Sequence, residues 1–375
     1  MGSKRTMLLN GLGSLINQEI NSSSRFIDLF SGSGAVAKYV AQNHNVPVLA
    51  YDLQTYSAVL TNAIIQRDSA FEWKSVWEKW HTRSEQIVRT KRAPVLSKLT
   101  KDNVKEFREW CARQDGWLIT QAYGGHYFSP KQSMWLDSFH SSLPQDEPFK
   151  TVALASIIQA ASQCAASPGH TAQPFQPTRS AKKYIEASWH MNIVDRVRNV
   201  FQALSYEYAK KKGKASVADA NEAAKNLHEG DLVFIDPPYS GVHYSRFYHV
   251  LETIARGVAG EVTGVGRYPA PEQRPRSRYS IKSESLKAIE ELLYAIASKK
   301  ARAIVTFPDH ECSNGLSGKT VREISSKYFI VKEQFVESKF STLGGSPGKK
   351  EVGQKKKVRA ARLNAKELIL FLKPK

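Results

Sequence analysis

Leu232-Val233-Phe234-Ile235-Asp236-Pro237-Pro238-Tyr239 decides the reading of this chain. Four apolar residues in a row predict a strand buried on both faces. A carboxylate, two prolines and a ring follow. Pro-Pro marks a tight turn, and that is the plainer reading. The same residues also suit a chemical task. Asp236 accepts a hydrogen bond from an exocyclic amino group. The prolines lack donors, so their carbonyls stay open to accept a second one. Tyr239 offers a face on which a base drawn out of a duplex stacks.

A second stretch lies upstream. Residues 25–30 (Arg25-Phe26-Ile27-Asp28-Leu29-Phe30) read as a short buried strand, followed by Ser31-Gly32-Ser33-Gly34 and a helical pattern over 35–41. Glycines at a strand-to-helix turn let backbone pass close to a ligand, and the helix N-terminus favours polar or anionic groups. The pattern is Gly-x-Gly and falls short of the full dinucleotide fingerprint. The next apolar run, 46–51, ends in Asp52, where a carboxylate is placed to bind ribose hydroxyls. Strand, glycine loop, helix, strand and acid together predict a nucleoside-cofactor half-site.

With these pieces in place the chain resembles the alpha group of DNA adenine amino-methyltransferases, enzymes dependent on S-adenosylmethionine. Met1-Gly2-Ser3-Lys4-Arg5 resembles their N-terminal cofactor motif and Phe30-Ser31-Gly32-Ser33-Gly34 their glycine motif. Ala218-Asp219-Ala220 resembles the acidic motif near the cofactor's adenine, and Asp236-Pro237-Pro238-Tyr239 the catalytic motif. The order of motifs is that of the alpha group. The likeness covers 1 to about 68 and about 184 to 375. Between them, Tyr123-Gly124-Gly125-His126-Tyr127-Phe128-Ser129 resembles an element that precedes the target-reading region in some members.

The resemblance implies a doubly wound, Rossmann-like α/β sheet of seven strands, one antiparallel, with an inserted and mostly helical target-recognition domain. It implies S-adenosylmethionine as cofactor and a base-flipping, direct in-line transfer to adenine in double-stranded DNA. Lys4 is expected to meet the cofactor carboxylate and Asp28 to order the glycine loop. Phe30, Ser31, Gly32, Ser33 and Gly34 would admit the methionine part, Asp52 with Leu53 would hold the ribose, and Asp219 with Ala220 would take the adenine edge. Asp236, Pro237, Pro238 and Tyr239 are the expected catalytic set, and Asp236 is expected among the cofactor-binding residues as well. No metal is required. A place in a restriction-modification or other defence system, with partner proteins, is a further implication.

Composition agrees. There are 54 Lys and Arg against 35 Asp and Glu, a formal net charge of +19, which predicts salt-sensitive attraction to a polyanion. No apolar span long enough for a membrane and no secretory signal is visible. The three cysteines, Cys111, Cys164 and Cys312, form no Cys-x-x-Cys pair, so neither a disulfide framework nor a cysteine zinc site is expected. A reducing bacterial or archaeal cytoplasm fits. Two short motifs are set aside. The opening Met1-Gly2-Ser3-Lys4-Arg5-Thr6 formally matches a myristoylation signal, and Gly318-Lys319-Thr320 hints at a phosphate loop but has Ser313 where a glycine is required. The latter reads as a helix entry.

Alternation of strands and helices argues for α/β winding. Strands are expected at 25–30, 46–52, 216–219, 232–236 and 301–307, a helix at 285–299, and two paired edge strands at 329–336 and 366–372. The organisation expected is a first catalytic part at 1–66, an insert at 67–183 and a second catalytic part at 184–375. The insert gathers Trp73, Trp77, Trp80, Trp110, Trp117 and Trp135 among basic residues, and most of these rings read as a small helical core. Two basic stretches, 266–280 and 344–362, read as mobile loops. Tyr244, Arg246, Arg274, Arg276, Lys355, Lys356 and Lys357 are the candidate DNA contacts. Two rivals stand beside this reading: an adenine methyltransferase acting on ribosomal RNA, and a non-catalytic DNA-binding protein on the same scaffold.

Overall fold

A computed structural model describes residues 4–96, 99–341 and 362–375, without the side chains of 337–341 and 362–366. Lys355, Lys356, Lys357 and nearly all of the basic stretch 344–362 lie outside the described residues, as does the opening Met1-Gly2-Ser3.

Seven strands make the main sheet: β1 (Arg25–Asp28), β2 (Val48–Asp52), β3 (Lys214–Val217), β4 (Asp231–Ile235), β5 (Arg302–Pro308), β6 (Phe329–Ser341) and β7 (Arg362–Pro374). Their order is β3-β2-β1-β4-β5-β7-β6. β1 pairs in parallel with β2 and β4, and β4 with β5, whereas β7 runs antiparallel to both β5 and β6. The expected seven strands with one reversed are therefore present. β4 sits at the centre with all five residues buried, as a continuous apolar run in a parallel sheet requires.

One expectation needs correction. The late strands were expected as a pair of edges, but β7 lies inside, between β5 and β6. Leu368, Ile369, Leu370, Phe371 and Leu372 are all buried. Five buried apolar residues in succession fit a strand covered on both faces and paired on both sides, not an alternating edge.

The chain divides into two compact units. The first comprises Met1–Asp52, Ala218–Gly241 and Ser277–Lys375. Its core joins Ile27, Val233, Ile235 and Val305 from the sheet to Leu292, Leu293 and Ile296 on helix Ser285–Ser298. Helix Gly318–Tyr328 follows, entered by Ser317, whose side chain accepts from the Thr320 N–H. That is a helix entry, as the sequence suggested, and no phosphate loop.

The second unit comprises Leu53–Val217 and Val242–Arg276, a wider span than 67–183. Helices Lys74–Val88, Pro130–Ser141, Phe149–Cys164 and Ile193–Tyr206 enclose a core of its own. Trp73, Trp77 and Trp80 belong to that core, with Trp77 and Trp80 packed on Phe139 and Phe201. The stretch 266–280 is ordered into regular pieces. Val262–Thr263 pairs with Tyr268–Pro269 and a 3-10 turn follows at Pro271–Gln273, while a second such turn at Arg278–Ser280 belongs to the first unit.

Candidate active site

The site belongs to the first unit and gathers where β1, β2 and β4 end. Because these strands run parallel, Asp28, Asp52 and Asp236 lie at one rim of the sheet, outside the carboxyl ends, where open α/β sheets place ligands.

The glycine turn comes first. Gly32 and Gly34 have φ of 51° and 75°, the left-handed region that a Cβ disfavours. The Gly34 N–H donates to the Ser31 carbonyl at 2.7 Å and helix Ala35–Asn43 begins at once. Asp52 Oδ2 accepts from the Gly32 N–H at 2.9 Å, and the Ser31 N–H donates to the Tyr51 carbonyl at 2.9 Å. Asp52, expected at a ribose, thus also fastens the turn. Asp28 is buried and accepts from the Phe30 N–H at 3.2 Å. Burial pushes its pKa up to about 8, opposed by the Phe30 amide and assisted by the charges of Asp236 and Asp52. Among the described residues nothing lies within 4 Å of where a Cβ on Gly32 would sit, so none of them closes over the turn there.

Asp236 follows β4 directly, and its side chain is 21% exposed. Thr306 on neighbouring β5 donates to Asp236 Oδ1 at 2.9 Å. Lys4 Nζ stands 3.0 Å from the same oxygen and 2.9 Å from Glu367 Oε2 on β7. Two carboxylates therefore share one ammonium. Burial would lower the Lys4 pKa, but the charges of Asp236 and Glu367 outweigh it, and Lys4 stays protonated. Asp236 is held above the ordinary carboxylate range, by burial first, with Lys4 pulling down and Glu367 pushing up.

The turn after Asp236 is braced from behind. Pro237 is buried. Asn314, also fully buried, donates through Nδ2 to the Pro238 carbonyl at 2.9 Å and to the Tyr279 carbonyl at 2.9 Å. The Gly241 N–H donates to Ser313 Oγ at 2.9 Å. Tyr239 is half-buried against the same core as Phe30 and Tyr51.

Phe30 meets Tyr279 edge to face at 5.0 Å. The Tyr279 hydroxyl donates to Asn221 Oδ1 at 2.6 Å. Asp219 Oδ1 accepts from the Asn221 N–H at 2.9 Å and caps helix Ala220–Ala224. Asp219 and the buried Ala220 therefore stand beside the aromatic pair.

Of the expected residues, the first unit holds Lys4, Asp28, Phe30, Ser31, Gly32, Ser33, Gly34, Asp52, Asp219, Ala220 and the Asp236-to-Tyr239 run. Leu53 opens the second unit, which also holds Tyr244, Arg246, Arg274 and Arg276. Sequence reading missed Thr306, Glu367, Asn314, Ser313 and Tyr279. Thr306 and Glu367 had a visible signal, a polar residue inside an otherwise apolar strand. No group of three or more His, Cys, Asp or Glu suited to a metal occurs among the described residues.

The sequence model of the family described as D12 class N6 adenine-specific DNA methyltransferase matches residues 1–114 and 164–299, and the chain belongs to that family. It is 25% identical over 313 residues to Modification methylase LlaI of Lactococcus lactis subsp. lactis, covering 79% of this chain and 44% of that protein. It is likewise 25% identical over 309 residues to Type II methyltransferase M.FokI of Planomicrobium okeanokoites, covering 78% and 42%. The chain thus spans less than half the length of these two relatives. The solved rRNA methyltransferase aviRa from Streptomyces viridochromogenes overlaps 96% of this chain and 82% of its own, at 10% identity and a TM-score of 0.26, an overlap too weak to carry argument.

Proposed function

We propose that this chain methylates the exocyclic amino group of adenine in duplex DNA, with S-adenosylmethionine as donor, as a modification enzyme of a restriction-modification or defence system. The observation that carries the reading is the Asp236 carboxylate, fixed by Lys4 and Thr306 at the same sheet rim as the Gly32 turn.

The residues fit the donor. Gly32 leaves its approach side open, the Phe30–Tyr279 pair supplies apolar rings, and Asp52 and Asp219 supply acceptors for hydroxyl and amino groups. Lys4, Asp28, Phe30, Ser31 to Gly34, Asp52, Asp219 and Ala220 would hold it. Once bound, the donor supplies an electrophilic methyl group on a sulfonium.

The adenine amino nitrogen shares its lone pair with the ring and is a poor nucleophile. Asp236 and the Pro237 carbonyl accept its two hydrogens, which favours a tetrahedral nitrogen and localises the lone pair. Tyr239 stacks the swung-out base. Positioning and electrostatics then do most of the work. Asp236, with its raised pKa, is suited to take the proton that the amino group sheds.

The test is methyl incorporation into duplex DNA and into RNA, followed by nucleoside analysis. N6-methyladenine in DNA is expected. Asp236→Ala should lower turnover by about 10²-fold or more while donor binding, measured by calorimetry, survives. Retained turnover in purified Asp236→Ala, or incorporation into RNA alone, overturns the reading.

A further inference from the structure

Arg246 and Arg274 of the second unit gather on one ring with Arg276 close by in sequence, and the Glu272 charge that reaches Arg274 forms no ion pair with it among the described residues. Arg246 lies over the Tyr268 ring at 4.8 Å from its centroid, and Arg274 over the same ring at 5.6 Å. Arg276 follows, near enough to His243 that its charge and that of Arg274 add to burial in holding the imidazole pKa down. None of the three guanidinium groups has a hydrogen-bonded or ion-paired partner among the described residues. Three other arginines of this unit are engaged. Arg108 donates to the Gly125 carbonyl, Arg256 to that of Gln273 and Arg267 to that of Ala122.

Like charges gathered on one ring repel, so the cluster persists only because it is held. Tyr268 donates through its hydroxyl to the Ala172 carbonyl and meets the His249 ring at 4.9 Å. His249 Nε2 is in turn 2.8 Å from the Gly266 carbonyl. Gly266 has to be glycine, since a Cβ there would fall 2.4 Å from the Tyr268 ring. These contacts fix the ring on which Arg246 and Arg274 lie. Arg274 Nε and His243 Nδ1 are buried and lack a partner. A buried donor without an acceptor is costly. An oxyanion brought to the cluster relieves both the repulsion and the missing acceptor.

We propose that Arg246 and Arg274, set on Tyr268, with Arg276 two residues along the chain, form a seat for one backbone phosphodiester of the nucleic-acid substrate. The guanidinium fork matches phosphate oxygens, and such a contact positions a duplex without reading its sequence. The seat rests on the reading that duplex DNA is the substrate.

The test is duplex binding by fluorescence anisotropy across a range of salt. Each phosphate neutralised adds about 0.9 to the slope of log K against log salt. The Arg246→Gln/Arg274→Gln double variant should lose about that much, with donor affinity and melting temperature unchanged. Lys105→Gln, an exposed cation elsewhere in the unit, should keep the wild-type slope. An unchanged slope in the double variant, or an equal fall in Lys105→Gln, overturns the seat. If the wild type binds no duplex at all, the DNA reading fails by itself. The seat is then judged with inorganic phosphate at matched ionic strength: a melting-temperature rise present in wild type and absent in the double variant upholds an anion seat, and no rise in either removes it.

Discussion

Glu367 Oε2 lies 2.9 Å from Lys4 Nζ, whose other partner, 3.0 Å away, is the Asp236 carboxylate. The ammonium cannot fully neutralise both acids, so Glu367 decides how much of the Lys4 charge Asp236 receives. Its own charge also holds the Asp236 pKa up.

Glu367→Gln should therefore move the acid limb of activity to lower pH. The sign follows from the charge: removing a neighbouring anion lowers the Asp236 pKa, and its ionised form survives further into acid. Lys4→Met should move the limb the other way. It also strands two carboxylates, with a stability loss of about 3–5 kcal/mol, the usual cost of breaking a buried pair. Profiles of kcat against pH, paired with melting curves, check both. An acid limb unmoved by Glu367→Gln contradicts the coupling.

Asp28 predicts a stability effect. Its folded pKa of about 8 lies above the roughly 3.9 of an unfolded carboxyl. Between these values the folded state binds more protons, so the Asp28 contribution is full in acid and drains away as pH rises to about 8. Asp28→Asn keeps an acceptor for the Phe30 N–H and abolishes the titration. Its melting temperature relative to wild type should rise from pH 5 to pH 9 by roughly 5 °C, because wild type loses about 4 kcal/mol over that range and a chain of 375 residues shifts by about 1.3 °C per kcal/mol. A gap that stays constant with pH refutes the assignment.

Asn314→Ala removes the amide that joins the Pro238 and Tyr279 carbonyls. The buried Tyr279 carbonyl and the part-buried Pro238 carbonyl then lose this donor, at a cost of about 1–3 kcal/mol in denaturant unfolding. Turnover should fall more than donor affinity, because the brace supports the turn that carries Asp236 and Tyr239. Equal loss in both, or in neither, argues against a positioning role.

Gly32→Ala separates strain from occupancy. Its φ of 51° costs an alanine about 1–2 kcal/mol, but no atom of the described residues lies within 4 Å of the new methyl group. Stability should fall by that amount, while donor affinity falls by about tenfold or more if the methionine part packs there. Unchanged donor affinity would place the donor elsewhere.

Much of this was legible in advance because local pattern carried it. The apolar run at 232–235, the glycines at 32 and 34 and the acids after each strand are neighbours in sequence, and periodicity with turn chemistry locates them. What failed to show was long-range. Lys4 and Glu367 are 363 residues apart, and no local pattern links a lysine to an acid on another strand. Asn314 carries no local signal, since its value lies in two carbonyls that only the fold brings near. The insertion of β7 between β5 and β6 was hidden for the same reason: strand length is local, whereas the choice of partner is set by the whole sheet.

That insertion bears on how the protein is made. During synthesis β5 and β6 leave the ribosome before the strand that separates them, so the apolar flank of β5 waits without its neighbour and offers a template to other chains. Glu367 arrives on the same late segment. The molecule gains its full charge arrangement only when its sheet closes, so assembly and competence coincide in a single event.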